Sequence, residues 1–168
     1  GWWEAMNRIS AMYLMVITTS FSVYYLPRLS ELKKVSELRN EILKSYKVII
    51  PILSFSFILI YIFRILIIRL LFTPEFMPMK NLFLWQLIGD FFKICSWVLS
   101  YLMVAKSMTK TFVITEICSS LLFLCLGFFL MQLNGVIGIT QAYMINYIIY
   151  MLSMFLIFKR IFFSKSKI

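Results

Sequence analysis

Histidine is absent from this sequence, and acidic residues are scarce. The 168 residues include no histidine and only seven aspartates and glutamates. A Ser-His-Asp triad and most zinc sites are excluded, because both depend on an imidazole. The sequence also has no phosphate-binding loop, no cluster of metal ligands and no nucleophile beside a base. We therefore predict no catalytic residue, no metal and no cofactor, and a chain that is not an enzyme.

Charged residues of either sign are also rare. They make up 14% of the chain, whereas hydrophobic residues make up 62%. Soluble domains average about 25% charged and about 45–50% apolar residues. One globular core cannot bury so much apolar surface, so the composition predicts an integral membrane protein.

Five long apolar runs separate the charged residues. They cover residues 9–26, 48–72, 82–105, 111–131 and 136–158. A helix of about 20 residues crosses the roughly 30 Å hydrocarbon core of a bilayer, so each run is long enough to span it. The runs are continuously apolar, without the alternation of a membrane β-barrel. We predict an all-α protein: a polytopic transmembrane helical bundle of about five spans, forming a single domain over residues 1–168.

Lysine and arginine are distributed unevenly between the two predicted sides of the membrane. One side receives twelve of them: Arg28, Lys33, Lys34, Arg39, Lys44, Lys47, Lys106, Lys110, Lys159, Arg160, Lys165 and Lys167. The other side receives Arg8, Lys80, Arg64 and Arg69. Because the richer side is normally cytoplasmic, we predict a cytoplasmic C-terminus. The basic residues flank the spans and form no basic domain, so membrane lipids are predicted partners and nucleic acid is not.

Residues 28–47 form the longest predicted connection and have a helical pattern of their own. Apolar residues recur there every three or four positions: Leu29, Leu32, Val35, Leu38, Ile42 and Tyr46. An apolar stripe opposite a charged face is typical of a helix that lies on a membrane surface. We predict a cytoplasmic amphipathic segment here, with a solvated linker helix as the alternative.

The third predicted span carries two charged residues near its middle. Asp90 and Lys93 share one helix face, with Gln86 one turn before them and Trp97 one turn after. Each central charge costs about 2.5–3.5 kcal/mol on insertion scales, so such residues face the bundle interior or a watery cavity. We predict a pathway for a polar substrate or coupled protons along this face; a structural ion pair is the alternative. Gly89 predicts a close approach of another helix.

Three further polar residues are pathway candidates in the last two spans. Glu116 lies near the inner end of the fourth span, and its alternative role is pairing with Lys106 or Lys110. Gln141 and Asn146 lie in the fifth span. Hydrogen bonds between helices explain these two as well as substrate contact does.

Three ordered stretches of the sequence match motifs of a known transporter family. They are residues 20–30 (SFSVYYLPRLS), residues 82–93 (LFLWQLIGDFFK) with 101–106 (YLMVAK), and residues 138–143 (GITQAY) with Asn146 and Tyr147. Together they resemble the C-terminal part of Wzx-type lipid-linked oligosaccharide flippases, in particular those of enterobacterial common antigen synthesis. Asp90 and Lys93 match the charged pair of the family's motif. The family has an acid where this chain has Ala11, which weakens the case for an ion site on the first span.

The resemblance implies a two-lobed exporter of about a dozen spans, of which this chain supplies most of the C-terminal lobe. The start at Gly1, without an initiator methionine, favours such a C-terminal fragment, whose partner is the missing N-terminal lobe. The implied activity is ion-coupled flipping of an undecaprenyl-diphosphate-linked oligosaccharide across the bacterial inner membrane. It serves enterobacterial common antigen or O-antigen (lipopolysaccharide) synthesis, with polysaccharide polymerase and chain-length proteins as implied partners. Two alternatives stay open: a non-transporting membrane scaffold or assembly subunit, and part of a polysaccharide polymerase.

Overall fold

The computed structural model describes residues 1–163, which are almost entirely helical. The α-helices of this part are α1 (Trp2–Ser20), α2 (Leu26–Glu31), α3 (Val35–Leu71), α4 (Phe83–Ala105), α5 (Thr109–Asn134), α6 (Val136–Ile157) and α7 (Lys159–Phe163). Residues 1–163 include no strand, and five helical segments are long and apolar enough to cross a membrane. The predicted all-α polytopic bundle is therefore confirmed. Lys165 and Lys167, which entered the predicted charge distribution, lie outside the described residues.

The first span is longer than the predicted residues 9–26. Helix α1, a π-helical turn at Phe21–Tyr25 and helix α2 together form one candidate span, Trp2–Glu31. Pro27 was expected to begin a connection, yet the helix continues past it. Proline has no N–H to donate to the preceding turn, and in this chain that preceding turn is the wider π turn at Phe21–Tyr25.

Helix α3 corrects the predicted amphipathic segment at residues 28–47. The segment is divided by a break at residues 32–34, where Lys34 has an extended backbone, and its remainder is the beginning of α3. No glycine or proline occurs between Val35 and Ile50, so nothing interrupts the helix before the second span. The 37 residues of α3 reach about 55 Å, well beyond the roughly 30 Å of hydrocarbon. The structure therefore divides residues 28–47 between the ends of two candidate spans, with no helix of their own, and their cytoplasmic location stays a prediction.

Helix α4 lies at the centre of the described residues. It contacts α1, α2, α3, α5 and α6, and it packs most extensively against α6. Its apolar side chains form much of the core: Phe83, Ile94, Val98, Leu99, Leu102 and Met103 are essentially inaccessible to solvent. This central position places the polar face of α4 against helices that come from both ends of the chain.

Candidate functional site

Asp90 is fully buried on α4 and accepts hydrogen bonds from three hydroxyl groups. The Ser10 hydroxyl on α1 donates to Oδ2 at 2.7 Å, and the Tyr13 hydroxyl donates to the same oxygen. The Tyr143 hydroxyl on α6 donates to Oδ1 at 2.6 Å. Hydroxyl donors of this kind satisfy a buried carboxylate, and here they also tie α1 and α6 to α4.

Lys93 lies one turn further along α4 and does not pair directly with Asp90. Across residues 1–163, no ion pair with a nitrogen–oxygen distance of 4.0 Å or less joins the two. The Lys93 ammonium instead donates to the Tyr143 hydroxyl at 3.2 Å. Tyr143 therefore bridges the two charged groups, so a structural role for the pair would act through this tyrosine and not through direct contact.

Three aromatic rings surround the Lys93 ammonium. Its Nζ lies 4.9 Å from the centroid of Tyr147, 5.4 Å from Tyr143 and 5.6 Å from Trp97. Ammonium groups are attracted to the faces of such rings within about 6 Å. The rings hold the charge in place without neutralising it, because they carry no net charge themselves.

Gly89 allows α6 to approach α4 at this point, as predicted. A Cβ atom at Gly89 would lie 2.5 Å from Cδ1 of Tyr143 and 3.2 Å from the Cα atom of Met144. The first distance is shorter than any normal carbon–carbon contact. A larger residue at this position would displace Tyr143 from the two charged groups that it bridges.

Gln86 extends the network of Asp90 toward the beginning of α1. Its Nε2 donates weakly to Ser10 Oγ at 3.3 Å and to Asn7 Oδ1 at 3.4 Å. Its Oε1 is buried and has no hydrogen-bond partner among the described residues. Unsatisfied buried acceptors of this kind are uncommon, and this one lies next to the cavity wall formed by Asn7 and Ser10.

A polar cavity of about 390 Å³ opens beside Lys93. Helices α1, α4, α5 and α6 all contribute to its wall, including Lys93, Glu116, Asn146, Ser119, Tyr143 and Tyr147. Ala11, where the resembled family has an acid, also lines it. The cavity thus combines one cation, one carboxylate and several hydrogen-bonding groups within the membrane-spanning part of the chain.

Glu116 lies on α5 and Asn146 on the neighbouring α6, and both side chains line this cavity. Glu116 accepts a hydrogen bond from the Tyr150 hydroxyl at 2.6 Å, so within residues 1–163 its partner is a tyrosine and neither Lys106 nor Lys110. Asn146 Nδ2 donates to the Ser119 hydroxyl at 3.0 Å. These bonds join α5 to α6 and leave the polar ends of both side chains at the cavity wall.

Gln141 does not belong to this group of residues. Its Oε1 accepts a hydrogen bond at 2.7 Å from Asn134, across the turn at Gly135 that joins α5 to α6. The other predicted candidates, Gln86, Asp90, Lys93, Trp97, Glu116 and Asn146, lie in or directly behind the cavity wall. Gln141 is therefore a residue of the first turns of α6 whose side chain bonds back to the end of α5, away from the cavity.

The sequence left Ser10 and Tyr13 of the first span ambiguous between helix packing and substrate contact, placed neither in the predicted site, and gave no role to Asn7. Asn7, Ser10 and Tyr13 all face α4 or the cavity, and all three belong to the polar network around Asp90 and Gln86. Their spacing of three residues places them along one side of a helix, which is the pattern that indicated the polar face of α4. The same test applied to the first span would have grouped Ser10 with Tyr13, whereas Asn7 lies outside the predicted residues 9–26 and belongs to the span only in the structure.

Comparison with known proteins finds similarity to curated protein sequences and not to family models or solved structures. No protein-family model and no solved structure matches the chain. Two curated proteins do, the lipid III flippases of Escherichia coli K12 and Shigella flexneri, each 36% identical over 150 residues. The match covers 89% of this chain and 36% of each relative, so the chain spans about a third of their length. The resemblance to Wzx-type flippases that the motifs predicted is confirmed.

Proposed function

We propose that this chain forms part of a flippase that moves an undecaprenyl-diphosphate-linked oligosaccharide across the bacterial inner membrane. The observation that supports this most directly is the polar cavity, which holds one ammonium group among four helices of membrane-spanning length. The similarity to lipid III flippases favours a substrate of enterobacterial common antigen synthesis over one of O-antigen synthesis. Moving such a lipid breaks no covalent bond, so the proposed protein is a transporter and not an enzyme.

Lys93 is the proposed contact for the diphosphate. A diphosphate brings negative charge into the membrane, where a single unpaired charge costs several kcal/mol. The Lys93 ammonium is held by Tyr143 and by aromatic faces, with no carboxylate within 4.0 Å among the described residues. Its charge is therefore available to an entering anion, and it offsets part of the cost of bringing that anion to this depth.

The other side of the cavity suits the sugar. Glu116 and Asn146 provide a carboxylate and an amide, and Ser119 and Ser120 provide hydroxyls. Sugar hydroxyls both donate and accept hydrogen bonds, so a mixed wall of this kind matches them. Trp3 and Phe123, whose ring centroids are 6.3 Å apart, add an apolar wall for the faces of the sugar rings.

Asp90 acts as a positioning residue in this proposal. It joins Ser10 and Tyr13 of α1 to Tyr143 of α6, and through Tyr143 it sets the position of Lys93. A relative movement of α1 or α6 would have to break these bonds, which links the shape of the cavity to the position of its cation. Protonation of Asp90 by a coupled proton would weaken its hydrogen bonds to the three hydroxyls and so favour this relative movement of the helices.

The proposed orientation has the C-terminus and the beginning of α3 in the cytoplasm. The proposed partners are a further lobe of the complete protein and, in the membrane, polymerase and chain-length proteins. Membrane-impermeant thiol labelling from outside tests the orientation in a variant without Cys95, Cys118 and Cys125. Ser36→Cys should stay unlabelled and Glu75→Cys should be labelled. The reverse pattern would contradict the orientation.

The test of the transport proposal is complementation of a flippase-deficient strain by the complete protein, with immunoblots of membrane levels. Lys93→Ala should reduce flipping by about two orders of magnitude, which corresponds to losing about 2.5–3 kcal/mol of charge compensation. Lys93→Arg should retain partial activity, because the charge survives while its geometry changes. Lys110→Ala, which removes an exposed lysine at the beginning of α5, is the matched control and should remain active.

A double variant separates transport from a scaffold role. If Asp90 and Lys93 only hold helices together, then Asp90→Asn combined with Lys93→Gln should restore both membrane level and activity. A substrate role for Lys93 predicts a normal level without activity. Full function of the neutral double variant would eliminate the proposed role.

A further inference from the structure

A second cavity lies between α3 and α4, on the side of α4 that faces away from the polar cavity. It has a volume of about 340 Å³, and its wall includes Ser54, Phe57 and Tyr61 of α3 with Leu84, Leu87 and Phe91 of α4. Both helices are candidate membrane spans, so this mostly apolar groove lies within the part of the chain expected to be in the membrane. Water is excluded from hydrocarbon, and an empty groove would forfeit van der Waals contacts along both helices.

Arg64 lies one turn of α3 beyond Tyr61, which lines this groove. Its guanidinium is 4.1 Å from the ring centroid of Tyr61, and its Nη1 donates to the Tyr61 carbonyl at 2.6 Å. None of the ion pairs among the described residues includes Arg64. Helix α3 ends at Leu71, about 10 Å further along its axis, and Leu84 is the second residue of α4. The charge therefore lies near the depth at which lipid headgroups meet the hydrocarbon.

We propose that this groove binds an anionic phospholipid of the leaflet that meets the C-terminal end of α3. One acyl chain lies between α3 and α4, and the lipid phosphate contacts Arg64. The apolar wall accounts for the chain, and the arginine without a carboxylate partner accounts for the negative headgroup. This site is separate from the proposed transport cavity, because the two cavities lie on opposite faces of α4.

The groove also touches the polar network through one aromatic contact. The ring of Phe57 packs against Tyr13 with centroids 5.3 Å apart, and the Tyr13 hydroxyl donates to Asp90. A lipid chain against Phe57 would therefore support the packing of α1 on α4. We expect bound lipid to raise the thermal stability of the protein, which gives a measurement that does not depend on transport.

The test titrates the complete purified protein in mild detergent with dioleoyl phosphatidylglycerol or dioleoyl phosphatidylcholine and follows its thermal stability. Arg64→Gln should weaken the phosphatidylglycerol effect about fivefold, which equals about 1 kcal/mol at 1.4 kcal/mol per tenfold change. Arg69→Gln is the matched control, since Arg69 is an exposed arginine of the same helix outside the groove, and it should change the effect by less than about twofold.

A groove-filling variant tests the position of the chain. Ser54→Phe should abolish stabilisation by both phospholipids, whereas Ile52→Phe, at an exposed position on the opposite face of the same helix, should leave it unchanged. Leu84→Trp fills the other end of the groove and replaces Ser54→Phe if that variant does not fold. Equal effects of the two arginine variants, or no lipid dependence of the parent protein, would overturn the proposal. The second result is expected if another part of the complete protein covers the groove.

Discussion

Helices α4 and α5 have similar lengths, yet they occupy opposite environments. The most apolar 18-residue stretch of α5 has a higher mean hydropathy than that of α4, yet none of the residues of α5 is buried. Helix α4 carries Asp90, Lys93 and Gln86, and thirteen of its residues are buried. Apolar surface gains little by leaving lipid, whereas polar groups must find partners inside the protein. In these two helices the polar residues therefore indicate the buried helix. In soluble proteins, by contrast, apolar residues indicate the buried face.

The strongest challenge to this comparison is a charge placed on α5. Leu121, near the middle of α5, is 57% exposed, so Leu121→Lys should cost about 3 kcal/mol at insertion. We expect a marked fall in the membrane level of the complete protein, measured by immunoblot. Leu121→Met is the control and should insert normally. A normal level of Leu121→Lys would show that this face of α5 does not lie in hydrocarbon.

A pair of glycines sharpens the comparison. Gly89→Ala on α4 places a methyl group 2.5 Å from the Tyr143 ring and should destabilise the protein by about 1–3 kcal/mol. Gly127→Ala on α5 meets nothing within 4 Å and should be neutral or slightly stabilising. Denaturation in mixed micelles measures both variants. Equal stabilities would mean that α6 does not approach α4 as closely as the structure shows.

A pair of tyrosines should give the smallest difference. Tyr143→Phe removes hydrogen bonds with both Asp90 and Lys93 and should cost about 1 kcal/mol, because such bonds average about 0.6 kcal/mol in membrane proteins. Tyr150→Phe removes one bond to Glu116 of α5 and should cost about half as much. The same denaturation assay applies. A larger loss for Tyr150→Phe would contradict the ranking of the two helices.

Local spacing explains which site residues the sequence could identify. Gln86, Asp90, Lys93 and Trp97 are three or four residues apart, so one helix places them along one side wherever its neighbours lie. Gln141 and Asn146 are five residues apart, a rotation of about 140°, and the structure places them in different surroundings. The presence of Gln141 and Asn146 in the same helix was therefore not enough to predict that both belong to one site.

Bridging contacts between helices could not be predicted in this way. Ser10 and Asp90 are 80 positions apart, and Tyr143 and Asp90 are 53 apart. Asp90 and Lys93 have opposite charges at a spacing that allows an ion pair, so the sequence alone left direct contact open as the alternative. The structure inserts the Tyr143 hydroxyl between them, and that position depends on how α6 packs against Gly89.

The sequence by itself determined that this protein is helical, spans a membrane several times and carries charge at one depth of one span, because these properties depend on composition and on residues within a few turns of each other. Tertiary structure alone decided that Lys93 faces a shared cavity, that three hydroxyls hold Asp90, and that a groove one turn of α3 from Arg64 lies on the other face of α4. Each of these contacts joins residues from different helices. Helix packing in lipid is set by shape and by hydrogen bonds between distant residues, and no local pattern of hydrophobicity encodes it.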